Sequence, residues 1–531
     1  MIRVEDLSVV DGAGRAVLDG VSLDIGPGQR VAVVGESGSG KTTLALSLLG
    51  QVNPGLRVAG GRVVVGGENV LGLPAGALRS YRRRTVAYLP QDPASALTPT
   101  LRVRGQLAEL ADDRSDEALL RRLADVGLPA DPKLLGRYPH QLSGGQQQRL
   151  ALARISAGDP SVLVVDEPTT GLDAVARNRV LGQVGELVAR RGASLLFVTH
   201  DLPAAGLVAD RLVVLRGGTV MEEGPLTGVM AEPAAPYTRE LIRAVPVIGD
   251  MRGRPQDATA PSTAAEEAPS ALLRVEGLSA AYRQGGRSRT VVEGVSFSLG
   301  AGECLALLGV SGSGKTTLAR CVSGFHRPSA GTITLDGQPL PAAIGERGTE
   351  QRRRIQVVPQ HSVGSLNPRR SVGAALTRPL RRLRGMNRAG AAAESARLLA
   401  LVGLEQRIAD RYPAQLSGGQ CQRVAIARAL AADPDVLICD EMTSSLDTRV
   451  QAAVLDLVNR LRLELRLAVI VITHDLGVLA RTADRVLALH EGVVCEEGPV
   501  AKVLGAPEHA WTRSLVEASR TTVAETLRPS R

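Results

Sequence analysis

The sequence predicts two similar α/β domains, each with a mostly parallel core sheet, an antiparallel β subdomain and a helical subdomain. Three observations lead to this prediction. The 531-residue chain is too long for a single hydrophobic core. A set of short motifs occurs twice with a constant spacing of 274 residues, as between Gly35 and Gly309. Four-residue apolar runs alternate with segments of helical apolar spacing, which is typical of parallel strands buried on both faces.

The composition limits the classes of protein that fit this chain. Hydrophobic residues make up 44% and charged residues 22%, as in ordinary globular proteins. No apolar run approaches the roughly 18 residues of a membrane span, and Glu5 and Asp6 argue against a secretory signal. We therefore expect the chain to stay in the cytoplasm. Its five cysteines lack metal-ligand spacing and are expected to be reduced thiols.

The net charge of +9 raises the question of a nucleic-acid partner. Arginine is spread widely, and the densest runs, 82–84 and 352–354, contain only three residues each. No aromatic residues alternate with these runs, so the chain lacks a platform on which bases could stack. We therefore expect no nucleic-acid partner.

Each half contains a glycine-rich loop of the form G-x-x-x-x-G-K-[ST] between an apolar run and a helical segment. Such a loop turns backbone N–H groups toward a phosphate, and the helix N-terminus adds about half a positive charge. Lys41 and Lys315 would reach the β- and γ-phosphates. The predicted phosphate-binding residues are Gly35, Ser37, Gly38, Ser39, Gly40, Lys41, Thr42 and Thr43 in the first half and Gly309, Ser311, Gly312, Ser313, Gly314, Lys315, Thr316 and Thr317 in the second.

An apolar strand that ends in Asp-Glu follows in each half, at 162–167 and 436–441. A carboxylate at the end of a strand beside the phosphate loop can hold Mg²⁺, and the next glutamate can act as a general base. The predicted metal ligands are Asp166 and Asp440 with the hydroxyls of Thr42 and Thr316, and the predicted bases are Glu167 and Glu441.

The sequence LSGGQ precedes a helical segment in each half and offers a hydroxyl and glycine N–H groups at the helix N-terminus. Its chemistry fits a second anion site, although it lies over a hundred residues from the glycine loop of its own half. A simple helix cap is the alternative reading of these residues. The residues are Ser143, Gly144, Gly145 and Gln146 in the first half and Ser417, Gly418, Gly419 and Gln420 in the second.

The repeat also sets the predicted domain boundaries. Apolar runs at 2–10, 17–25 and 62–65 predict the small antiparallel sheet of the first half. The segment 247–271 is rich in Pro, Ala, Glu and Thr without periodicity, which favours a flexible linker. We therefore expect one domain at 1–246 and another at 272–520, followed by a loose tail at 521–531.

The order of these motifs resembles that of tandem ATP-binding cassette proteins, the P-loop NTPases that drive ABC transporters. The resemblance covers roughly 1–245 and 272–518. It implies ATP and Mg²⁺ as ligands, and a head-to-tail arrangement of the two halves. Site one would combine the first glycine loop with Ser417, and site two would combine the second glycine loop with Ser143.

The resemblance also implies roles for residues whose local chemistry is less specific. Q-loop glutamines that sense Mg²⁺ and the attacking water would be Gln91 and Gln360. Histidines that contact the γ-phosphate would be His200 and His474, and the D-loop aspartates would be Asp173 and Asp447. An aromatic residue that stacks on adenine corresponds to Tyr282 in the second half but to Asp11 in the first. This difference predicts weaker adenine binding in site one.

Two further segments resemble the branch of dipeptide, oligopeptide and nickel importers: QDPASALTP at 91–99 with SLNP at 365–368, and APYTREL at 235–241. The resemblance implies two transmembrane permease subunits and an extracytoplasmic solute-binding protein as partners. The chain would then be peripheral on the cytoplasmic face of the membrane, held there by the permeases alone. An exporter motor and a soluble tandem-cassette factor that acts on ribosomes or DNA remain alternatives.

Overall fold

A computed structural model describes residues 1–169, 171–248, 271–284, 287–443 and 446–527. Each half contains a four-stranded antiparallel sheet and a six-stranded, mostly parallel sheet. This is the predicted α/β fold. Among the described residues, no helix combines the length and apolar character needed to cross a membrane.

The described residues of the first half form ten strands and ten helices, which are joined by short 3-10 turns. The strands are β1 (Ile2–Asp11), β2 (Ala16–Ile25), β3 (Arg30–Val34), β4 (Leu56–Val65), β5 (Glu68–Asn69), β6 (Val86–Leu89), β7 (Val162–Asp166), β8 (Ser194–Val198), β9 (Arg211–Arg216) and β10 (Thr219–Pro225). The helices are α1 (Lys41–Ser47), α2 (Ala75–Arg84), α3 (Val103–Ala108), α4 (Asp116–Asp125), α5 (Pro132–Leu135), α6 (Gly144–Ser156), α7 (Ala174–Arg191), α8 (Leu202–Val208), α9 (Leu226–Ala231) and α10 (Pro236–Ala244).

The second half repeats this order. Its strands are β11 (Leu273–Gln284), β12 (Arg287–Leu299), β13 (Cys304–Leu308), β14 (Ala330–Leu335), β15 (Gln338–Pro339), β16 (Ile355–Val358), β17 (Val436–Asp440), β18 (Ala468–Thr473), β19 (Arg485–His490) and β20 (Val493–Pro499). Its helices are α11 (Lys315–Ser323), α12 (Thr349–Arg354), α13 (Ser362–Ser365), α14 (Val372–Leu383), α15 (Arg388–Leu401), α16 (Gly418–Leu430), α17 (Thr448–Leu465), α18 (Leu476–Thr482), α19 (Val500–Gly505) and α20 (Ala510–Leu527).

The core sheet of the first half has the strand order β10-β9-β3-β8-β7-β6, in which only β10 runs antiparallel to its neighbour. Strand β3 is apolar throughout because both of its faces are buried. Val31 and Val33 face the antiparallel sheet, whereas Ala32 and Val34 face the helices. The carboxyl ends of β3, β7 and β8 meet at one edge, so the segments that follow these strands are brought together.

Two predicted boundaries need correction. The sequence assigns Val247 and Ile248 to the linker, but they pack against the apolar cores of the first and second halves, respectively. Residues 249–270 of the predicted linker lie outside the described part of the chain. The sequence predicts that residues 521–527 are loose, but α20 continues to Leu527. No Gly or Pro interrupts the chain before Pro529, so nothing in this segment stops the helix.

Candidate active sites

Both glycine loops close around their own lysine. Lys41 Nζ donates hydrogen bonds to the carbonyl oxygens of Gly35 and Glu36, each at 2.8 Å. Lys315 makes the same bonds to Gly309 and Val310 at 2.7 and 2.9 Å. Burial lowers the pKa of both lysines, although nearby carboxylates oppose this shift. The loops therefore hold a buried cation at the N-terminus of α1 and of α11.

The loop backbone requires glycine at its last position. Gly40 and Gly314 adopt left-handed φ angles of 97° and 102° just before the helices begin. A Cβ atom on Gly40 would lie 2.8 Å from the carbonyl oxygen of Val17, and one on Gly314 would lie 2.7 Å from that of Val291. Both the dihedral angle and the contact exclude a larger residue without a backbone shift.

The strand-end aspartates lie beside the loop threonines. Thr316 Oγ1 donates to Asp440 Oδ1 at 3.3 Å, and Thr42 likewise hydrogen-bonds Asp166. Burial is the largest cause of the raised pKa of both aspartates, because it disfavours the charged carboxylate. A bound cation would reverse this tendency. Carboxylate and hydroxyl oxygens form the donor set that Mg²⁺ prefers, so these residues fit the metal.

Tyr88 is a member of site one that sequence reasoning missed. Its hydroxyl donates to Asp166 Oδ2 at 3.1 Å. The corresponding residue of the second half is Val357, which has no polar group. Because Tyr88 lies in an apolar strand, only a comparison of the two halves could have drawn attention to it.

The glutamates after these aspartates adopt an unusual backbone. Glu167 and Glu441 have φ angles of 45° and 43°, in the left-handed region that non-glycine residues rarely occupy. The N–H of Glu167 donates to the carbonyl oxygen of Val198 at 2.8 Å, and that of Glu441 to Ile472 at 3.0 Å. These bonds hold the strained turn, which aims each carboxylate at the predicted Q-loop and histidine of its own half.

The predicted catalytic groups of each half are close together. Gln91 Nε2 donates to Glu167 Oε2 at 2.9 Å, and His200 Nδ1 lies 2.9 Å from Oε1 of the same carboxylate. In the second half, Gln360 Nε2 donates to Glu441 Oε2 at 2.7 Å. His474 Nδ1 lies 3.4 Å from Glu441 Oε1. Glutamine, glutamate and histidine therefore form one cluster in each half.

The histidine–glutamate contact shifts the pKa of one group in each half. Burial favours neutral His200, but the hydrogen bond and charge of Glu167 outweigh it and raise the pKa of His200. Burial also favours neutral Glu441, but His474 outweighs it and lowers the pKa of Glu441. In the second half, this contact favours the ionised carboxylate of Glu441, which is hydrogen-bonded to Gln360 and His474.

The two halves contact each other through their D-loops. A cavity of about 290 Å³ in the first half is lined by the glycine loop, Gln91, Glu167 and His200, and also by Leu446 and Asp447 of the second half. The charge of Asp447 acts on Lys41, and that of Asp173 acts on Lys315. Asp447 therefore lies beside the first glycine loop, and each D-loop aspartate acts electrostatically on the lysine of the other half.

The LSGGQ serines have a different environment. Ser143 and Ser417 are exposed, and their hydroxyls accept hydrogen bonds from the N–H groups of Gln146 and Gln420 as caps of α6 and α16. Ser417 is not among the residues that line the cavity of site one. The structure therefore brings the D-loop, rather than the LSGGQ serine, to the first glycine loop.

The predicted adenine positions of the two halves also differ. The Tyr282 hydroxyl lies 3.5 Å from Thr317 Oγ1, and its ring packs on His326 with centroids 4.5 Å apart. Tyr282 thus stands beside the second glycine loop. Asp11 instead forms an ion pair with Arg15 at 2.8 Å, so it presents no ring to a base.

Comparison with known proteins establishes the family. The ABC transporter domain family matches residues 18–170 and 292–444, which together cover more than half of the chain. The chain belongs to the ABC transporter family. It is therefore an ATP-binding protein with two cassettes and an ATPase, as the order of its motifs predicted. The oligopeptide/dipeptide transporter C-terminal region also matches, at residues 221–270.

Several relatives match over nearly the whole chain. The peptidoglycan transport ATP-binding protein YejF of Agrobacterium fabrum is 35% identical, over 98% of this chain and 96% of its own length. The uncharacterized ABC transporter ATP-binding protein YejF of Escherichia coli is 37% identical, over 98% and 99%. The glutathione import ATP-binding protein GsiA of Salmonella paratyphi A is 36% identical, over 94% and 85%.

Proposed function

We propose that this ABC ATPase is the motor subunit of an importer for peptides or a related small solute. The observation that carries the proposal is the match of residues 221–270 to the oligopeptide/dipeptide transporter C-terminal region. In this segment, the Tyr237 hydroxyl accepts a hydrogen bond from the N–H of Glu36 in the first glycine loop, at 3.2 Å. The segment that matches peptide transporters is thus in direct contact with an ATPase motif.

Each glycine loop would bind the β- and γ-phosphates of ATP. The buried lysine would leave the loop carbonyls for the phosphates, and the helix N-terminus would add its partial positive charge. Thr42 and Asp166 would hold Mg²⁺ in site one, and Thr316 and Asp440 would hold it in site two, with Gln91 and Gln360 beside them. The metal ion would supply charge neutralisation at the phosphates.

Glu167 and Glu441 would act as general bases toward the attacking water. Their carboxylates are held by a glutamine and a histidine at 2.7–3.4 Å, so their orientation is set before nucleotide binds. His200 and His474 would turn from the glutamate to the γ-phosphate. A positioned base of this kind contributes about 10²- to 10⁴-fold to the rate.

The closed state would pair each glycine loop with the LSGGQ segment of the other half. The charges of the D-loop aspartates support this arrangement because each acts on the glycine-loop lysine of the other half. Closure would then require Ser417 and Ser143 to approach the opposite nucleotides. Opening and closing of the two sites would move two permease subunits, which would receive solute from an extracytoplasmic binding protein.

Purification with the permeases tests this proposal. We expect one copy of the chain to co-purify with two multispanning proteins, and vesicles that contain the complex to take up peptide only with ATP and the binding protein. A complex with ribosomes or DNA, or outward transport without a binding protein, would contradict it. The double variant E167Q/E441Q is the matched control because it should assemble normally without transport.

A further inference from the structure

The interface between the halves is not symmetric at the two glycine loops. Arg449 of the second half donates from Nη1 to Glu36 Oε1 at 2.8 Å, and its Nη2 lies 3.1 Å from Glu240 Oε2. Its guanidinium carbon is also 5.5 Å from the ring centroid of Tyr237. A single arginine therefore contacts both the first glycine loop and the segment that matches peptide transporters.

The corresponding positions around site two lack every charged member of this cluster. With the constant spacing of 274 residues, Arg449 corresponds to Val175 and Glu36 to Val310. Glu240 corresponds to Ser514. Val175 packs against the apolar core of the second half instead. The ion pairs therefore form at site one and have no chemical counterpart at site two.

The residue before Arg449 shows the same asymmetry. Thr448 Oγ1 donates to the carbonyl oxygen of His200 at 2.9 Å, which joins the second half to the histidine of site one. Its counterpart is Ala174, which has no hydroxyl and so cannot make this bond to His474. Thr448 and Arg449, two consecutive residues of the second half, thus both contact residues of site one.

Glu36 places a negative charge in a loop that must bind a polyphosphate. Its carboxylate would repel ATP, and it acts electrostatically on Lys41. The side chains of Arg449 and Glu36 are each 32% exposed, so their interaction is partly screened by solvent but not lost. A guanidinium at 2.8 Å offsets the carboxylate, but only while the second half is docked.

We propose that Arg449 is a positioning residue specific to site one, which neutralises Glu36 and couples docking of the second half to ATP affinity there. This inference rests on the proposal that the first glycine loop binds ATP. The two sites would then differ: ATP affinity at site one depends on a positive charge from the other half, whereas Val310 of site two has no carboxylate that needs such a charge.

The experiment is MgATP titration of the full chain with one site disabled. In a K315A background, which leaves site one, R449A should raise the dissociation constant about three- to tenfold, and R449K should restore most of the affinity. In a K41A background, which leaves site two, R449A should change nothing. E240A is the matched control for loss of an ion pair outside the loop and should have a smaller effect than R449A.

Removal of the carboxylate separates charge neutralisation from simple packing. In the K315A background, E36V/R449A should bind ATP more tightly than R449A, because no unpaired carboxylate remains. High salt should reduce the difference between R449A and the parent. Equal affinities for R449A and its parent, or no rescue by E36V, would overturn the inference. If the K315A chain binds no ATP while K41A does, the proposed nucleotide site itself fails.

Discussion

His200 Nδ1 lies 2.9 Å from Glu167 Oε1, whereas His474 Nδ1 lies 3.4 Å from Glu441 Oε1. The tighter pair belongs to site one, where Thr448 of the second half also holds the His200 backbone. His200 therefore takes part both in the histidine–glutamate contact and in the contact between the halves.

The first prediction concerns the general bases. E167Q or E441Q should slow hydrolysis at its own site at least about a hundredfold, because a glutamine cannot accept the proton. ATP binding should persist since the side chain keeps its shape and most hydrogen bonds. Single-turnover ATPase assays and nucleotide titration of both variants measure this.

Transport in the same variants shows whether the sites act together. The reciprocal D-loop contacts predict that either substitution reduces uptake by far more than half. Near-normal ATPase and uptake in one variant would mean that its glutamate is not the base. About half of both activities would mean that the sites operate independently.

The second prediction concerns pH and His200. The pKa of His200 is raised in the folded protein, so its pairing with Glu167 stabilises the fold fully below the unfolded value of about 6.5. That stabilisation is lost as the pH rises through the folded pKa. H200Q should therefore lower the melting temperature more at pH 6 than at pH 9.

Thermal unfolding of nucleotide-free protein across this range provides the measurement. H140Q is the matched control because His140 is exposed on the surface. A melting-temperature difference for H200Q that does not vary with pH would contradict the role of the charged pair.

The third prediction concerns adenine. Y282A should weaken ATP binding at site two by about 1–3 kcal/mol, the usual contribution of a base stacked on an aromatic ring. D11Y should strengthen binding at site one, although it also breaks the ion pair with Arg15. Titration in K41A and K315A backgrounds measures each site separately, and D11A controls for loss of that ion pair. Equal ATP affinities of the two unmodified sites, with no gain from D11Y, would count against the proposed stacking of adenine on Tyr282.

The fourth prediction concerns the contact between the halves at α18. A Cβ atom on Gly477 would lie 2.3 Å from the carbonyl oxygen of Pro246 in the first half. G477A should destabilise the protein by about 1–3 kcal/mol, because the backbone must move. G182A is the control, since that exposed helical glycine has nothing within 4 Å. G182A should be stabilising by about 0.5–1 kcal/mol, and urea unfolding compares the two.

If G477A proved as stable as its parent, the halves would not be docked as described.

Much of the fold and of the predicted sites could be predicted from the sequence, because the residues of each motif are close together along the chain. The strand, glycine loop and helix of each phosphate site are contiguous, so the chemistry of Lys41 and Thr42 is visible in one short segment. Strand β7 and its terminal Asp166 are likewise contiguous. A second copy of both motifs lies 274 residues further along the chain and supports the prediction. The family match agrees with this prediction, and the individual site assignments remain proposals.

Only the tertiary structure decided which residues meet across the chain. Arg449 and Glu36 are 413 positions apart, and no periodicity or spacing predicts that they pair. The bond from Tyr88 to Asp166 depends on the neighbouring strands β6 and β7, and the left-handed turn at Glu167 depends on the carbonyl of Val198. Local sequence determines dihedral preference and chemistry, whereas these contacts depend on how strands align and how the two halves dock.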